Sequence, residues 1–275
     1  MDWTFTEDLG AFASAAGPAV AARPAANTVL LSTLDRLTRR GLHAYGPRAP
    51  RFGWWAGPDG AVAAAVWTPP HPLVVTGLPP AAALALVRAL TAEPLLAGLE
   101  GVNAARADAE LLAGAWGRPT RVAEELRLYR LAGLVPPDPA PAGGPRPAGG
   151  ADVPLVLEWL EGFRTELGMT ALADEAWVAD RLSYGGITLW EDGGRPVSLA
   201  CRTRRLGGAT RIGPVYTPRA DRGRGYAAGA TAEASRLAPA GEVLLFTDLA
   251  NPTSNALYQR LGYTPVMDRL HLTTT

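Results

Sequence analysis

The chain of 275 residues contains no lysine, so all 26 of its basic residues are arginine, and 26 acidic residues balance them to a formal charge of zero. Without lysine there is no Gly-Lys phosphate loop of the Walker type and no lysine Schiff base. Arginine in place of lysine, beside abundant alanine, glycine and proline, reads as GC-rich coding and carries no functional weight. A neutral chain offers nucleic acid no electrostatic foothold. Cys201 is the single cysteine, which excludes an intramolecular disulfide and a cysteine-based zinc site; His43, His71 and His271 lie too far apart for metal-ligand spacing. No apolar run reaches the roughly 18 to 20 residues that a membrane span needs, and the acidic start MDWTFTEDLG lacks the basic head of a secretory signal. A cytoplasmic protein is expected, with no metal, nucleic-acid or membrane partner. At 48% hydrophobic residues it has enough apolar surface for one or two cores.

Patterning along the chain divides it. Proline at 18 and 24 is expected to break any long helix near the start, and a helix is expected from Asn27 or Thr28 to Arg40. Two apolar runs flank Gly57-Pro58-Asp59-Gly60, a hairpin signal, and further strands and helices follow to Leu131. The stretch PPDPAPAGGPRPAGGAD, 136 to 152, holds no core-forming residue larger than proline and reads as a linker. Domains at 1–135 and 153–275 are therefore expected, the second opening with a helix over Val153 to Leu167. Trp55 and Trp190 each precede a glycine turn, and Val62 and Val197 follow at the same seven-residue distance, which suggests two copies of one α+β fold.

One stretch carries the chemistry. Thr210 to Tyr216 is an apolar strand stopped at Thr217-Pro218. Then come Arg222-Gly223-Arg224-Gly225-Tyr226-Ala227 and an alanine-rich helix to Leu237. Glycines before a helix let backbone amides converge, and with the helix dipole they form an anion site suited to a pyrophosphate. After a strand from Glu242 to Thr247, Asn251-Pro252 leads into a helix, capped by Thr253 or Ser254, that presents Tyr258 and ends at Gly262. The loop also fits Gly-x-Gly-x-x-Ala, but six residues separate strand from glycines and too little chain follows Asp248 for a second mononucleotide half.

Arg-x-x-Gly-x-Ala at Arg222 to Ala227, followed by Asn-x-x-Ser-x-x-x-Tyr-x-x-x-Gly-Tyr at Asn251 to Tyr263, resembles the GNAT superfamily of N-acetyltransferases. The resemblance covers 153–275. It implies layered αβα domains around a mixed, mostly antiparallel sheet. It also implies a transferase that uses acetyl-CoA to acetylate an amine on a small molecule, peptide or protein. Val215, Tyr216 and Thr217 would pair with the pantetheine arm; Arg222, Gly223, Arg224, Gly225, Tyr226 and Ala227 would meet the pyrophosphate, with Asn251 and Ser254 also in the cofactor-binding set. Tyr258 matches the position of the acid that protonates the leaving thiolate. Relatives often place a glutamate on the strand before the loop, where this chain has Thr210 and Arg211. That leaves Glu161, Glu166 and Asp248, or a water, as candidate bases. The first half has Val75-Thr76-Gly77-Leu78-Pro79-Pro80 where the second has its arginine-glycine loop, so it is read as a degenerate copy. An acyl-CoA-binding module without catalysis is the competing reading.

Overall fold

The computed structural model describes residues 2–58, 60, 62–169 and 173–274. The chain forms two compact units: Met1–Leu128 with Asp248–Ala250 and Val266–Thr275, and Tyr129–Thr247 with Asn251–Pro265. These differ from the expected 1–135 and 153–275, because the last strand contributes to both units and the second unit begins before the proline-rich stretch.

In the first unit the elements are β1 (Thr4–Thr6), α1 (Leu9–Ala21), α2 (Thr28–Arg40), β2 (Arg51–Ala56), β3 (Val62–Trp67), β4 (Leu73–Val75), α3 (Pro80–Ala92), β5 (Gly101–Ala105), α4 (Arg106–Ala115) and the start of β6 (Thr120–Leu131). Asp59 and Ala61, part of the expected hairpin, lie outside the described residues. Strands β1 to β4 pair antiparallel in sequence order, and β4 pairs parallel with β5. Pro18 sits inside α1 rather than breaking it. Its ring is exposed, so water can take up the carbonyl its missing amide leaves unpaired. Alternation along β3 sends Ala64 and Val66 to a core with α1 and α2, and Ala63, Ala65 and Trp67 to a core with α3 and α4.

The second unit repeats this order: β7 (Gly144–Pro147), α5 (Val153–Glu166), α6 (Glu175–Leu182), β8 (Ile187–Asp192), β9 (Arg195–Arg202), β10 (Ala209–Tyr216), α7 (Tyr226–Arg236), β11 (Glu242–Asp248) and α8 (Pro252–Arg260). β7, β8, β9 and β10 pair antiparallel in turn, and β10 pairs parallel with β11. The final strand, β12 (Tyr263–Thr274), pairs antiparallel with β5 from Arg269 to Thr273 and so completes the first unit's sheet. Helices α5 and α6 cover one face of the second sheet, α7 and α8 the other. Both halves are therefore αβα layers with mostly antiparallel sheets, as the sequence repeat suggested.

Trp55 and Trp190 mark equivalent places, each buried in the core beneath the later pair of helices of its unit. At 8% exposure Trp190 is nearly dry, and truncating such a ring costs on the order of 3–5 kcal/mol. A methyl group at Gly229 of α7 would lie 2.8 Å from the Trp190 ring, so glycine there lets the helix settle onto the tryptophan.

The expected linker is a sheet edge. Gly144, Pro145, Arg146 and Pro147 pair with Glu191, Trp190, Leu189 and Thr188. Two prolines of like parity leave every second residue free to bond, which an edge strand tolerates. Trp190 Nε1 donates to the Ala142 carbonyl at 2.8 Å, and Arg146 reaches Glu191 at 2.7 Å and Asp152 at 2.7 and 2.8 Å. Composition misled because the order comes from partners distant in sequence.

Candidate active site

In the second unit β10 and β11 begin as neighbours and then part. Their parallel pairing runs from Ala209 with Glu242 to Ile212 with Leu245. Directly beyond stand Gly213 and Pro214, where the ladder to β9 also shifts register between Ile212 and Val215. Pro214 has no amide to donate, so pairing with β11 stops where the sequence provides proline. Val215 and Tyr216 thus stand on a strand end freed toward β11.

The loop that follows is built tightly. Arg219–Asp221 forms a 3-10 turn, and the buried Asp221 carboxylate receives two bonds from Arg195, at 2.7 and 3.0 Å, which hold it below the usual carboxylate range. Arg222 Nε donates to the Thr217 carbonyl at 2.8 Å, folding the loop back on its own start. Gly223 and Gly225 then adopt φ of +78° and +81°, a left-handed region that side chains disfavour. Gly225 is the residue before α7, and among the described residues no side chain caps that helix. The first-turn amides of Tyr226 and Ala227 are left to an external acceptor, at the positive end of the dipole. Tyr226 is buried, and its hydroxyl donates to Asp192, fixing the head of the helix to β8. Arg224 is exposed beside Asp221 and Tyr226.

Asn251, not Thr253 or Ser254, caps α8: its side-chain oxygen accepts from the Ser254 amide at 3.0 Å. Asparagine preceding proline at the first helical position is a strong start signal, and it displaces the later hydroxyl residues. Asn251 and Ser254 thus serve the helix entry. One turn further on, Tyr258 is buried in the core with Ile212, Leu245 and Tyr226, and its ring meets Tyr263 edge-on at 6.2 Å. Tyr263 exchanges a 2.6 Å hydrogen bond with Ser235, whereas the Tyr258 hydroxyl bonds to no described residue. Burial pushes the Tyr258 phenol up to about 12.

The carboxylates separate. Glu166, on the last turn of α5, accepts from Arg222 at 2.6 Å, Tyr216 at 3.2 Å and Arg219 at 3.4 Å, and the Arg222 bond holds it below its ordinary range. Glu161 is exposed and paired with Arg164. Asp248 belongs to the other unit, where it accepts from the Ala250 amide at 2.8 Å. On β10 itself Thr210 is buried and Arg211 half-buried, so that strand brings no carboxylate. Cys201 is fully buried and its thiol is pushed up to about 12, which keeps it protonated. Among the described residues no group of three or more His, Cys, Asp or Glu could hold a metal ion, and no helix is long and apolar enough to cross a membrane.

The equivalent place in the first unit is filled by the protein. Pairing of β4 with β5 ends at Val74 and Asn103, and the Arg269 guanidinium enters there, donating to the carbonyls of Val75 at 3.2 Å and Asn103 at 2.8 Å and to the Asn103 side chain at 2.7 Å. Two residues before α3 the Leu78 amide faces the half-buried Asp108 carboxylate. No residue from Thr76 to Pro80 has positive φ. Strand alternation places Arg269 on the face opposite Leu270 and Leu272 and so predicts exposure, yet it is 3% exposed.

No protein-family model and no curated protein matches the sequence. Solved structures do match the fold. A GNAT-family acetyltransferase from Colwellia psychrerythraea covers 100% of this chain and 99% of its own, with a TM-score of 0.63 and 12% identity. A GCN5-related N-acetyltransferase from Kribbella flavida covers 90% and 95%, with a TM-score of 0.61 and 19% identity. One from Sphaerobacter thermophilus covers 99% and 95%, with a TM-score of 0.61 and 19% identity. The likeness spans both units, so the chain shares the fold of these GNAT acetyltransferases along its length, with the glycine loop and the buried tyrosine in its second unit.

Proposed function

We propose that the protein is an acetyl-CoA-dependent N-acetyltransferase whose second unit binds the cofactor. The observation that carries this reading is the parting of β10 and β11 after Ile212 and Leu245, followed by a loop with two left-handed glycines that enters α7, a helix no described side chain caps. A pantetheine arm can pair with the freed edge at Val215 to Thr217, while the pyrophosphate takes the amides of the α7 head, with Arg222 and Arg224 adding charge. The acetyl thioester supplies the electrophile. An acceptor nitrogen bonds to the acyl carbon, the carbon–sulfur bond breaks, and the thiolate leaves toward Tyr258.

Magnitudes limit what Tyr258 does. An ordinary thiol titrates near 8.5, so full proton transfer from a phenol near 12 would be uphill by about 5 kcal/mol. The phenol acts as a general acid in the weaker sense, donating a hydrogen bond to the developing thiolate, with complete transfer only once the attacking nitrogen bears positive charge nearby. Glu166 is tied up by arginine, so the acceptor loses its proton to water or arrives uncharged. An α-amine, near 8, is then a better acceptor at neutral pH than a lysine amine, near 10.4.

The lack of a free carboxylate on β10 is also what a non-catalytic acyl-CoA-binding module would show. Thiol release from acetyl-CoA, followed with a panel of primary amines, separates the two. Release that depends on the amine and matches the acylated amine formed is expected; binding without release on any acceptor favours the module.

A further inference from the structure

We propose that Glu166 is a positioning residue that fixes Arg222 as a donor facing the cofactor; this role rests on the acetyl-CoA reading above. The Arg222 guanidinium is held at two points, Nε on the Thr217 carbonyl at 2.8 Å and Nη2 on Glu166 Oε2 at 2.6 Å, and no described residue bonds its Nη1. That leaves both Nη1 N–H groups as oriented donors on the residue before Gly223. The same carboxylate also receives the Tyr216 hydroxyl at 3.2 Å and Arg219 Nε at 3.4 Å. Tyr216 is braced in turn by Phe163, 6.4 Å away edge-on, and by Trp159 at 6.5 Å. One carboxylate thus ties the end of α5 to the end of β10 and to the glycine loop.

Two effects oppose each other. Glu166 is a negative charge near an anion site, so electrostatics alone predicts that removing it tightens cofactor binding. Against this, an arginine fixed before its ligand arrives loses less rotamer freedom on binding. Two arginines meet the carboxylate, so the local field stays positive with Glu166 present, and orientation decides.

Calorimetry with acetyl-CoA on the full chain tests this. Glu166→Ala is expected to raise Kd by roughly 10-fold, with Glu166→Gln, which keeps an acceptor oxygen, in between. In an Arg222→Ala background the Glu166→Ala change should have little further effect, because the glutamate acts through that arginine. In turnover the KM for acetyl-CoA should rise while the pH profile of kcat stays in place. Equal or tighter binding in Glu166→Ala overturns the role, as does additive loss in the double variant or a kcat whose acid limb moves. Absence of binding by the wild type overturns the cofactor reading and this role with it, whereas wild-type binding with an unaffected Glu166→Ala overturns the role alone.

Discussion

Tyr258→Phe is expected to slow acetyl transfer by about 100-fold, near 3 kcal/mol of barrier, with acetyl-CoA binding nearly unchanged. The value is set at the low end of general-acid effects because burial has made the phenol a weak acid. Phenylalanine keeps the edge-on packing against Tyr263 and removes only an oxygen that bonds to no described residue, so thermal stability at neutral pH should hardly move. A purely structural tyrosine predicts the reverse, lower stability with turnover intact. Alkaline pH gives a second check. The folded phenol titrates higher than the unfolded one, near 10, so its contribution is intact below that pH and is lost as pH rises toward 12. Tyr258→Phe should lose less stability than wild type across that window. Full activity with saturating acetyl-CoA and a working acceptor would remove Tyr258 from the chemistry.

Gly225→Asp should abolish cofactor binding in practice, weakening it by roughly 100-fold or more, since two like charges about 4 Å apart repel by about 4 kcal/mol near a protein surface. The backbone adds a cost of about 1–2 kcal/mol, because φ at this position is +81°. A Cβ there would also come within 3.3 Å of Pro141. Gly225→Ala shares the strain and the crowding but lacks the charge, so the difference between the two variants in calorimetry isolates the anion site. If both bind acetyl-CoA like the wild type, the pyrophosphate lies elsewhere.

Much of this site was legible because it is local. The glycines, the alanine-rich helix behind them and the Asn-Pro entry to α8 are fixed by φ preferences and capping within a few residues of each other. What sequence hid was long-range pairing. Gly144 to Pro147 becomes a strand only because β8 offers an edge and Glu191 holds Arg146. Glu166 meets Arg222 across 56 residues, which no periodicity announces. Arg269 is buried against Asn103, 166 residues away, through the return of β12 to the first unit. The compact units differ from 1–135 and 153–275 for the same reason, since the last strand returns to complete the first unit's sheet.

The second unit alone is expected to bind acetyl-CoA, because in the first the Arg269 guanidinium bonds the carbonyls of Val75 and Asn103 where β4 and β5 part. Calorimetric titration of the full chain with acetyl-CoA is predicted to give one molecule per chain; a stoichiometry of two would show that the first unit also binds, and no binding at all would overturn the cofactor site.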